Sequence, residues 1–253
     1  LASQQKQLLT HAYTHNPKDP NCPHCIAAKM PTTGHYRTVD GEERKSKLIG
    51  EQCFADLCTN WPAAKGSGER NFLGVIDDCS GLIYVVPLLG KMSKAVHEAL
   101  LRITRDLNGY RELAGGERPS LQTIKTDWGG EFIGLDVRDA LVAENIILDH
   151  GVPYRHVAKA ERMIKTVAQG VRTLLLAAGL PAIYWAYAAR TFAHNKRCEN
   201  PIYQIFLKSI GKPNKPRIFG QLVFVKFPKE GAGEGQSKTE PAATACAFLC
   251  YES

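Results

Sequence analysis

The sequence predicts an α/β domain built on a mixed β-sheet, with a short His/Cys-rich segment before it and a small β module after it. Strand-like and helix-like segments alternate in the central part of the chain in the order β-β-β-α-β-α-β-α-α. Such an order is typical of a sheet covered by helices. A length of 253 residues and an apolar fraction of 44% are sufficient for a sizeable core.

Three strands are predicted at the beginning of the central part. The first is "EQCFADLC" (51–58). The next two, "NFLGVIDDCS" (71–80) and "LIYVVPL" (82–88), are rich in β-branched residues and nearly contiguous. They therefore predict a hairpin with its turn at Ser80–Gly81, in which Asp77 and Asp78 are hairpin residues.

The second half of the central part predicts helices alternating with two further strands. A helix over 92–108 is indicated by apolar residues at helical spacing: Val96, Leu100, Ile103 and Leu107. A strand (121–126), a helix (135–144) and a strand (145–149) follow. A long helix is predicted from Val157 to Ala178, where Gly179 ends it, and Pro181 begins the next helix.

Composition limits the classes of function. A net charge of +7 and a pI near 9.0 favour an anionic partner such as nucleic acid, although a modest positive charge also serves solubility. The eight cysteines are scattered, which is typical of reduced thiols. No secretory signal opens the chain, and the longest apolar run (174–189) is too short for a membrane span. These features predict a soluble intracellular protein without a membrane partner.

Three carboxylates stand where strands and a helix place them close to a sheet. Asp56 interrupts the first apolar strand, Asp127 ends the fourth, and Glu161 lies in the first turns of the long helix. Convergent carboxylates are what Mg²⁺ requires, because it takes oxygen ligands. Each residue also has a simpler explanation: an edge-strand charge for Asp56, a turn for Asp127, and an i,i+4 pair with Lys165 for Glu161.

Five sequence stretches, taken together and in order, carry a resemblance to a known family. They are "ERNFLGVIDDCSGLIYVVPL", "KTDWGGEF", "PYRHVAKAERMIKTV", "GLPAIYWAYAARTFAHN" and "PRIFGQLVFVKFP". In this order they resemble the integrase of copia-type long-terminal-repeat retrotransposons. The resemblance implies a ribonuclease H-like fold and a DDE triad on Asp56, Asp127 and Glu161, which would bind Mg²⁺ or Mn²⁺.

The same resemblance implies an activity and partners. The chain would process the 3′ ends of element DNA and insert them into target DNA by strand transfer. It would act on double-stranded DNA as a homo-oligomer, in the nucleus and, before that, within a cytoplasmic particle. Two features depart from the family pattern: Trp128 stands where Asn is usual, and only 33 residues separate Asp127 from Glu161, because the loop before Glu161 is shortened.

These departures leave alternatives open. A shortened loop would displace Glu161, which would make the chain a catalytically degenerate, nucleic-acid-binding remnant of an integrase. A third hypothesis is a ribonuclease H-type nuclease acting on RNA–DNA hybrids. The His/Cys segment and the "GLP" and "RIFG" stretches argue against that third hypothesis.

A His/Cys cluster near the beginning predicts a structural zinc site. His11 and His15 are four residues apart and would share one helix face, and Cys22 and Cys25 form a Cys-x2-Cys pair. Two nitrogen and two sulfur ligands suit tetrahedral Zn²⁺. The resembling family has a His-His-Cys-Cys zinc module in this place, with a longer gap between the pairs. His24 and His35 are alternative ligands.

Basic residues around Glu161 predict a nucleic-acid contact. The predicted phosphate-binding residues are Arg155, Lys159, Arg162, Lys165 and Arg172. A solvated helix face is the alternative. A second, sequence-independent DNA contact is expected from a basic stretch near the end of the chain, which contains Lys208, Lys212, Lys215 and Arg217.

Three domains are expected on these grounds. They are a zinc-binding module with a basic linker (1–47), a ribonuclease H-like catalytic domain (48–200) and a small basic β module (201–253). Because the chain starts without Met and ends on the strand-like run "ACAFLCYES", we expect a fragment of a longer product.

Overall fold

The structure is a computed structural model. It describes residues 11–16, 18–29, 46–113, 121–127, 132, 135–150, 158–212, 215–226 and 243–250. Predictions for the linker (30–45), for the "WGGE" turn (128–131) and for the loop before the long helix (151–157) lie outside the described residues.

A five-stranded mixed sheet forms the centre of the protein. Its strands are β1 (Gln52–Cys58), β2 (Asn71–Asp77), β3 (Ile83–Leu88), β4 (Thr123–Lys125) and β5 (Ile147–Asp149). Their spatial order is β3-β2-β1-β4-β5. β1, β2 and β3 are antiparallel neighbours, whereas β4 and β5 run parallel to β1. The α/β fold predicted from the sequence, a mixed sheet flanked by helices, is confirmed.

Helices in the described residues include α1 (Pro23–Lys29), α2 (Ser93–Leu113), α3 (Leu135–Ala143), α4 (Ala158–Ala178), α5 (Trp185–Cys198) and α6 (Pro201–Ser209). On one face of the sheet the core is shared with α2, α3 and α6, and on the other with α4 and α5, whereas α1 packs on α4. A single 3-10 turn, Ala182–Tyr184, leads into α5. Two further strands, β6 (Leu222–Lys226) and β7 (Ala243–Ala247), pair antiparallel in a separate sheet. They correspond to the predicted β module.

Alternation along the strands divides the core into two apolar clusters. Leu73 and Val75 of β2 face the cluster shared with α2 and α6, whereas Phe72 faces the cluster shared with α4 and α5. Successive strand side chains point to opposite faces, so a strand that is apolar throughout needs cover on both sides. In the second cluster Trp185 is fully buried and donates from Nε1 to the backbone oxygen of Pro62 at 2.7 Å.

The end of α4 follows the local signal in the sequence. Gly179 has a positive φ of 64°, a conformation in which a side chain is strained. Its amide donates to Leu176 at 3.2 Å, and the amide of Leu180 donates to Leu175 at 3.0 Å. These two bonds are those of a Schellman motif, so the predicted helix stop is confirmed.

Helix α6 was not predicted; it follows the elements β1 to α5, whose order is the one expected from the sequence. Asn200 caps the helix by accepting a hydrogen bond from the amide of Ile202 at 3.0 Å, and Pro201 occupies its first turn. Tyr203 and Leu207 then pack into the core cluster that contains α2. The segment after residue 200, which differs in composition, therefore begins with a helix that packs into the central core. The domain boundary predicted at residue 200 stays a prediction.

The state of the cysteines and the polarity of the helices complete the description of the fold. All eight cysteines are free thiols. Within the described ranges, every helix is too short or too polar to cross a membrane.

Candidate active site and metal centre

Asp56 lies on β1, and Asp127 lies two residues beyond the end of the neighbouring parallel strand β4. In the pairing of β1 with β4, Phe54 lies opposite Lys125. If this register continued for two more residues, it would set Asp56 opposite Asp127. Neighbouring strands are about 4.8 Å apart. Both aspartates are half-buried. Asp56 shares a strand face with Phe54, over which the ammonium of Lys159 of α4 lies.

Glu161 reaches this region because α4 packs directly on a glycine. Gly74 of β2 is the cross-strand partner of Asp56. A Cβ atom at Gly74 would stand 2.7 Å from Met163 Cε and 2.8 Å from Ile164 Cδ1. The turn after Glu161 therefore rests on the strand position beside Asp56, while Glu161 itself is exposed in the first turn of α4. A lone glycine inside a strand is a signal of close approach, and Gly74 is such a signal in this sequence.

The beginning of α4 is also held by an ion pair. The ammonium of Lys159 contacts the carboxylate of Asp78, which is 4% exposed, and lies 5.1 Å from the ring centroid of Phe54. Asp78 also accepts a hydrogen bond from the amide of Ser46 at 2.6 Å. Lys159, predicted as a phosphate contact, thus has its charge engaged inside the protein.

Asp77, the residue before Asp78, has a structural role in the hairpin. It is fully buried and accepts hydrogen bonds from the amide of Gly50 at 2.7 Å and from the amide and hydroxyl of Ser80 at 2.7 and 2.5 Å. Burial of Cys53, and then the charge of the neighbouring Asp77, raise the pKa of the Cys53 thiol well above its ordinary value. The oxygens of Asp77 are committed to the turn, as predicted for a hairpin residue.

Asp56, Asp127 and Glu161 do not form a closed ligand set. Of the described residues, one group alone has three or more possible ligand atoms within 4.8 Å of one another, and it is the His/Cys cluster. Asp56 Oδ1 accepts a hydrogen bond from the amide of Leu57 at 2.7 Å. His150 Nδ1 lies 3.1 Å from Thr126 Oγ1 and 3.4 Å from the backbone oxygen of Asp127, so it supports the chain that presents Asp127.

Cations continue along the exposed face of α4. Arg162, Lys165 and Arg172 are all exposed, and the spacings of three and seven residues put them on one side of the helix. They follow Glu161 along that side. Arg155, predicted as a further contact, lies outside the described residues.

The His/Cys cluster brings four ligand atoms together. The Nε2 of His11 is 3.2 Å from the Nδ1 of His15 and 3.4 Å from the Sγ of Cys25. The Nδ1 of His15 is 3.4 Å from Cys22 Sγ and 3.7 Å from Cys25 Sγ. A tetrahedral zinc ion needs about 3.3 Å between two nitrogens and about 3.6 Å between nitrogen and sulfur, given its usual bond lengths. The donor set and its spacing therefore fit zinc.

Local structure sets up this cluster. His15 directly follows the helical residues 11–14 with a φ of 52°, which turns its ring back towards His11. Cys25 is fully buried in α1, and Cys22 stands just before that helix. Of the two alternative ligands, His24 has its ring centroid 6.0 Å from that of His15 and is absent from the cluster. His35 lies outside the described residues.

The cluster is attached to the central domain through α5. The fully buried Asn195 donates from its amide nitrogen to the backbone oxygens of Tyr13 at 3.0 Å and Arg217 at 2.8 Å. Thr14 Oγ1 donates to Glu199 Oε1 at 2.9 Å. One buried side chain of α5 therefore bonds to segments near both ends of the described chain.

Comparisons with known proteins find a relative among retrotransposon polyproteins and a neighbour among solved structures. No family model matches the chain. The chain is 23% identical to the "Retrovirus-related Pol polyprotein from transposon TNT 1-94" of Nicotiana tabacum, over an alignment of 256 residues that covers 98% of this chain and 18% of the relative. The chain thus spans less than a fifth of that polyprotein. The similarity to a retrotransposon polyprotein, predicted from the motifs, is confirmed.

The structural neighbour is a crystal structure of the catalytic core domain of BIV integrase. It superposes with a TM-score of 0.42 and 14% sequence identity, and the match covers 64% of this chain and 97% of that chain.

Proposed function

From its similarity to a segment of a retrotransposon polyprotein, we propose that this chain is an integrase region that carries out metal-dependent phosphoryl transfer on DNA. It would process 3′ ends and then join them to target DNA by strand transfer. The observation that supports the proposal is the register of β1 with β4: continued beyond Lys125, it would bring Asp127 opposite Asp56, on the sheet that the helix bearing Glu161 packs against.

The proposed ligands of the catalytic metal are Asp56, Asp127 and Glu161. Their oxygens match the preference of Mg²⁺ and Mn²⁺ for hard ligands. When bound, such ions neutralise the phosphate and activate the attacking hydroxyl or water. The protein supplies no nucleophile of its own in this proposal. Its residues would position the DNA ends at the metal. The sheet presents Asp56 and Asp127, and the ion pair of Lys159 with Asp78 holds the helix turn that presents Glu161.

Double-stranded DNA is the proposed partner of the exposed face of α4. Arg162, Lys165 and Arg172 continue from Glu161 along that face, so DNA phosphates next to the reacting bond would meet them. Such contacts position the backbone without reading sequence. We propose that the chain acts on DNA as a homo-oligomer in the nucleus. Size measurements in solution would test the oligomeric state, and imaging of tagged protein would test the location.

Zinc is the proposed occupant of the His11, His15, Cys22 and Cys25 cluster. Four protein ligands leave no open position, which is typical of a structural site. The proposed module spans residues 1–47, the catalytic domain residues 48–200 and the β module residues 201–253. Because Asn195 bonds to Tyr13, the zinc would stabilise a module that is packed on the catalytic domain.

A second function is favoured by one observation. The oxygen atoms of Asp56, Asp127 and Glu161 do not meet within 4.8 Å in the structure. A chain in which they stay apart even with metal present would be a nucleic-acid-binding remnant of an integrase. It would keep the basic face of α4 and lose the transfer reaction.

A strand-transfer assay with Mg²⁺ and terminal-repeat DNA ends distinguishes the two functions. Integrase activity that is lost in Asp127→Asn and in Asp56→Asn would support the first. The matched control is Asp139→Asn, an exposed aspartate on α3, which should keep full activity. DNA binding without any transfer by the parent chain would support the remnant, and equal activity of parent and Asp127→Asn would refute the triad.

A further inference from the structure

A large basic cleft lies at the β3 edge of the sheet, two strands away from Asp56. It has a volume of about 750 Å³ and is enclosed by β3, α2, α5, α6 and the segment after α6. That volume is in the usual range for sites that hold small molecules. The proposed triad contributes nothing to its lining, so the cleft is separate from the proposed active site.

The charge of the lining is strongly one-sided. Seven cations and one carboxylate line the cleft. The carboxylate is Asp106, and the cations are Arg102, Arg105, Arg190, Arg197, Lys212, Lys215 and Arg217. Arg190 is paired with the buried Glu69 at 3.1 Å. The other cations come from α2, α5 and the chain after α6, so they surround the cleft instead of following a line. Like charges gathered around one cavity repel each other, and a multivalent anion would relieve that repulsion.

Arg197 is held firmly in the lining of the cleft. Its guanidinium carbon lies 5.1 Å from the ring centroid of Tyr84 and 5.8 Å from that of Tyr203, and its NH1 donates to the backbone oxygen of Ile83 at 3.1 Å. Its Nε is buried without a hydrogen-bond partner among the described residues. Buried donors of this kind are rare in proteins unless a ligand or water satisfies them. The guanidinium is therefore held in place with one donor still to be satisfied.

Neighbouring groups keep the cleft basic over a wide pH range. His194 lines it and stays neutral above about pH 4, because burial and then the charge of Arg197 lower its pKa to about 4. Burial raises the pKa of Asp106, against the opposing effect of Arg197 and Arg102. The positive charge thus comes from Arg and Lys side chains, which remain protonated at neutral pH.

We propose that this cleft is a binding site for clustered phosphate groups, independent of the carboxylate triad. The surrounding arrangement of cations fits a compact, multiply charged anion, such as a pyrophosphate group or the terminal phosphates of a nucleotide. The same chemistry is offered by free nucleotides and by a phosphorylated strand end. The proposal does not rest on the proposed integrase activity.

Calorimetric titration of the full chain with pyrophosphate tests the site. No divalent metal is added, so that the triad has no metal through which to hold phosphate, and no chelator is used, so that zinc is retained. We expect pyrophosphate binding to weaken at least tenfold in the double variant Arg102→Gln/Arg105→Gln, because it removes two cations from the lining of the cleft. Both side chains are exposed on α2, so their loss should leave the fold intact. The control is Arg138→Gln, an exposed arginine on α3 outside the cleft, which should bind like the parent.

Two further arms identify the source of the phosphates. A 5′-phosphorylated single-stranded oligonucleotide that binds more tightly than pyrophosphate, with the same loss in the double variant, assigns the cleft to a strand end. Binding of a nucleoside triphosphate and of pyrophosphate with equal affinity, and weaker binding of the oligonucleotide, assigns it to a free nucleotide. Asp56→Asn should bind pyrophosphate like the parent. The proposal is overturned if the parent does not bind pyrophosphate, or if the double variant binds it unchanged.

Discussion

Lys159 and Asp78 form an ion pair that ties the first turn of α4 to the end of β2. The carboxylate is nearly buried, whereas the lysine side chain is 27% exposed. This pair lies two residues before Glu161 along α4. It therefore connects the stability of the helix start with the position of the third proposed metal ligand.

Replacing Lys159 by Met should destabilise the protein and also impair the proposed reaction. The buried Asp78 would keep the amide of Ser46 as a donor but lose its counter-charge. Removing one partner of a buried pair is costly, and with partial solvent access we expect about 1–3 kcal/mol of lost stability in urea unfolding. Strand transfer should fall as well, because the turn that bears Glu161 is no longer held.

Lys165→Met is the matched control for this change. Lys165 is exposed on the same helix, so its loss should change stability by less than about 0.5 kcal/mol while weakening DNA binding. If both variants unfold at the same urea concentration, the Lys159–Asp78 pair does not hold α4.

Two helical glycines should respond to alanine in opposite directions. A Cβ at Gly170 of α4 would overlap the ring of Phe192, which is fully buried in α5. Overpacking of this kind costs about 1–3 kcal/mol. A Cβ at Gly109 of α2 would find its nearest neighbour, Phe206 Cε2, at an ordinary 3.9 Å. There alanine should stabilise by about 0.4–1 kcal/mol through helix propensity.

Thermal or urea unfolding of both variants measures the difference. Gly170→Ala should lower the midpoint and Gly109→Ala should raise it. A neutral Gly170→Ala would show that α4 and α5 separate easily, which would contradict the close packing of the second core cluster.

Helices and strands were predictable where the sequence pattern that indicates them lies within the element itself. The long helix was expected from Val157 to Ala178 and is described from Ala158 to Ala178, because its apolar stripe and its glycine stop lie within the helix itself. The five strands of the sheet were likewise expected from short apolar runs. Helix α6 carried an equally local signal in Asn200 and Pro201, but that signal was taken only as a change of composition.

The candidate sites depend on contacts that are distant in sequence. The proposed pairing of Asp56 with Asp127 depends on the parallel register of β1 with β4, which no spacing along the chain encodes. The partner of Lys159 lies 81 residues away, so the sequence alone favoured a solvent-facing cation. The basic cleft is lined by α2, α5 and α6, by the edge strand β3 and by the basic segment after α6. Of these, only the basic segment was predicted from the sequence to contact an anionic partner. The His/Cys cluster was predictable because its four residues lie within 15 positions of the chain.

Loss of zinc should release the segment around His11 from the central domain. In Cys25→Ser one thiolate ligand is lost, so we expect metal analysis to show well under the one zinc ion per chain that the parent should hold. Proteolysis between residues 11 and 29 should become faster. Cys246→Ser, a half-buried cysteine outside the cluster, serves as the control and should keep both the zinc and the protection. Equal zinc content in parent and Cys25→Ser would refute the site.

His194 should make the protein less stable in acid. Burial, and then the charge of Arg197, lowers its pKa from 6.5 to about 4 in the folded protein, whereas in the unfolded chain it takes up a proton near pH 6.5. Protonation therefore favours unfolding. The stability that comes from keeping His194 neutral is complete above about pH 6.5 and is lost as the pH falls towards 4.

His194→Gln separates this effect from the other groups that titrate in the same range. Urea unfolding of the parent and the variant between pH 7 and pH 4.5, in chloride buffers without phosphate, measures it. The zinc ligands and the surface carboxylates affect both proteins equally, so they cancel from the difference. We expect the parent to lose more stability than the variant as the pH falls, because only the parent has this site to protonate. Stability curves that stay parallel over this range would show that His194 is not held neutral by the fold.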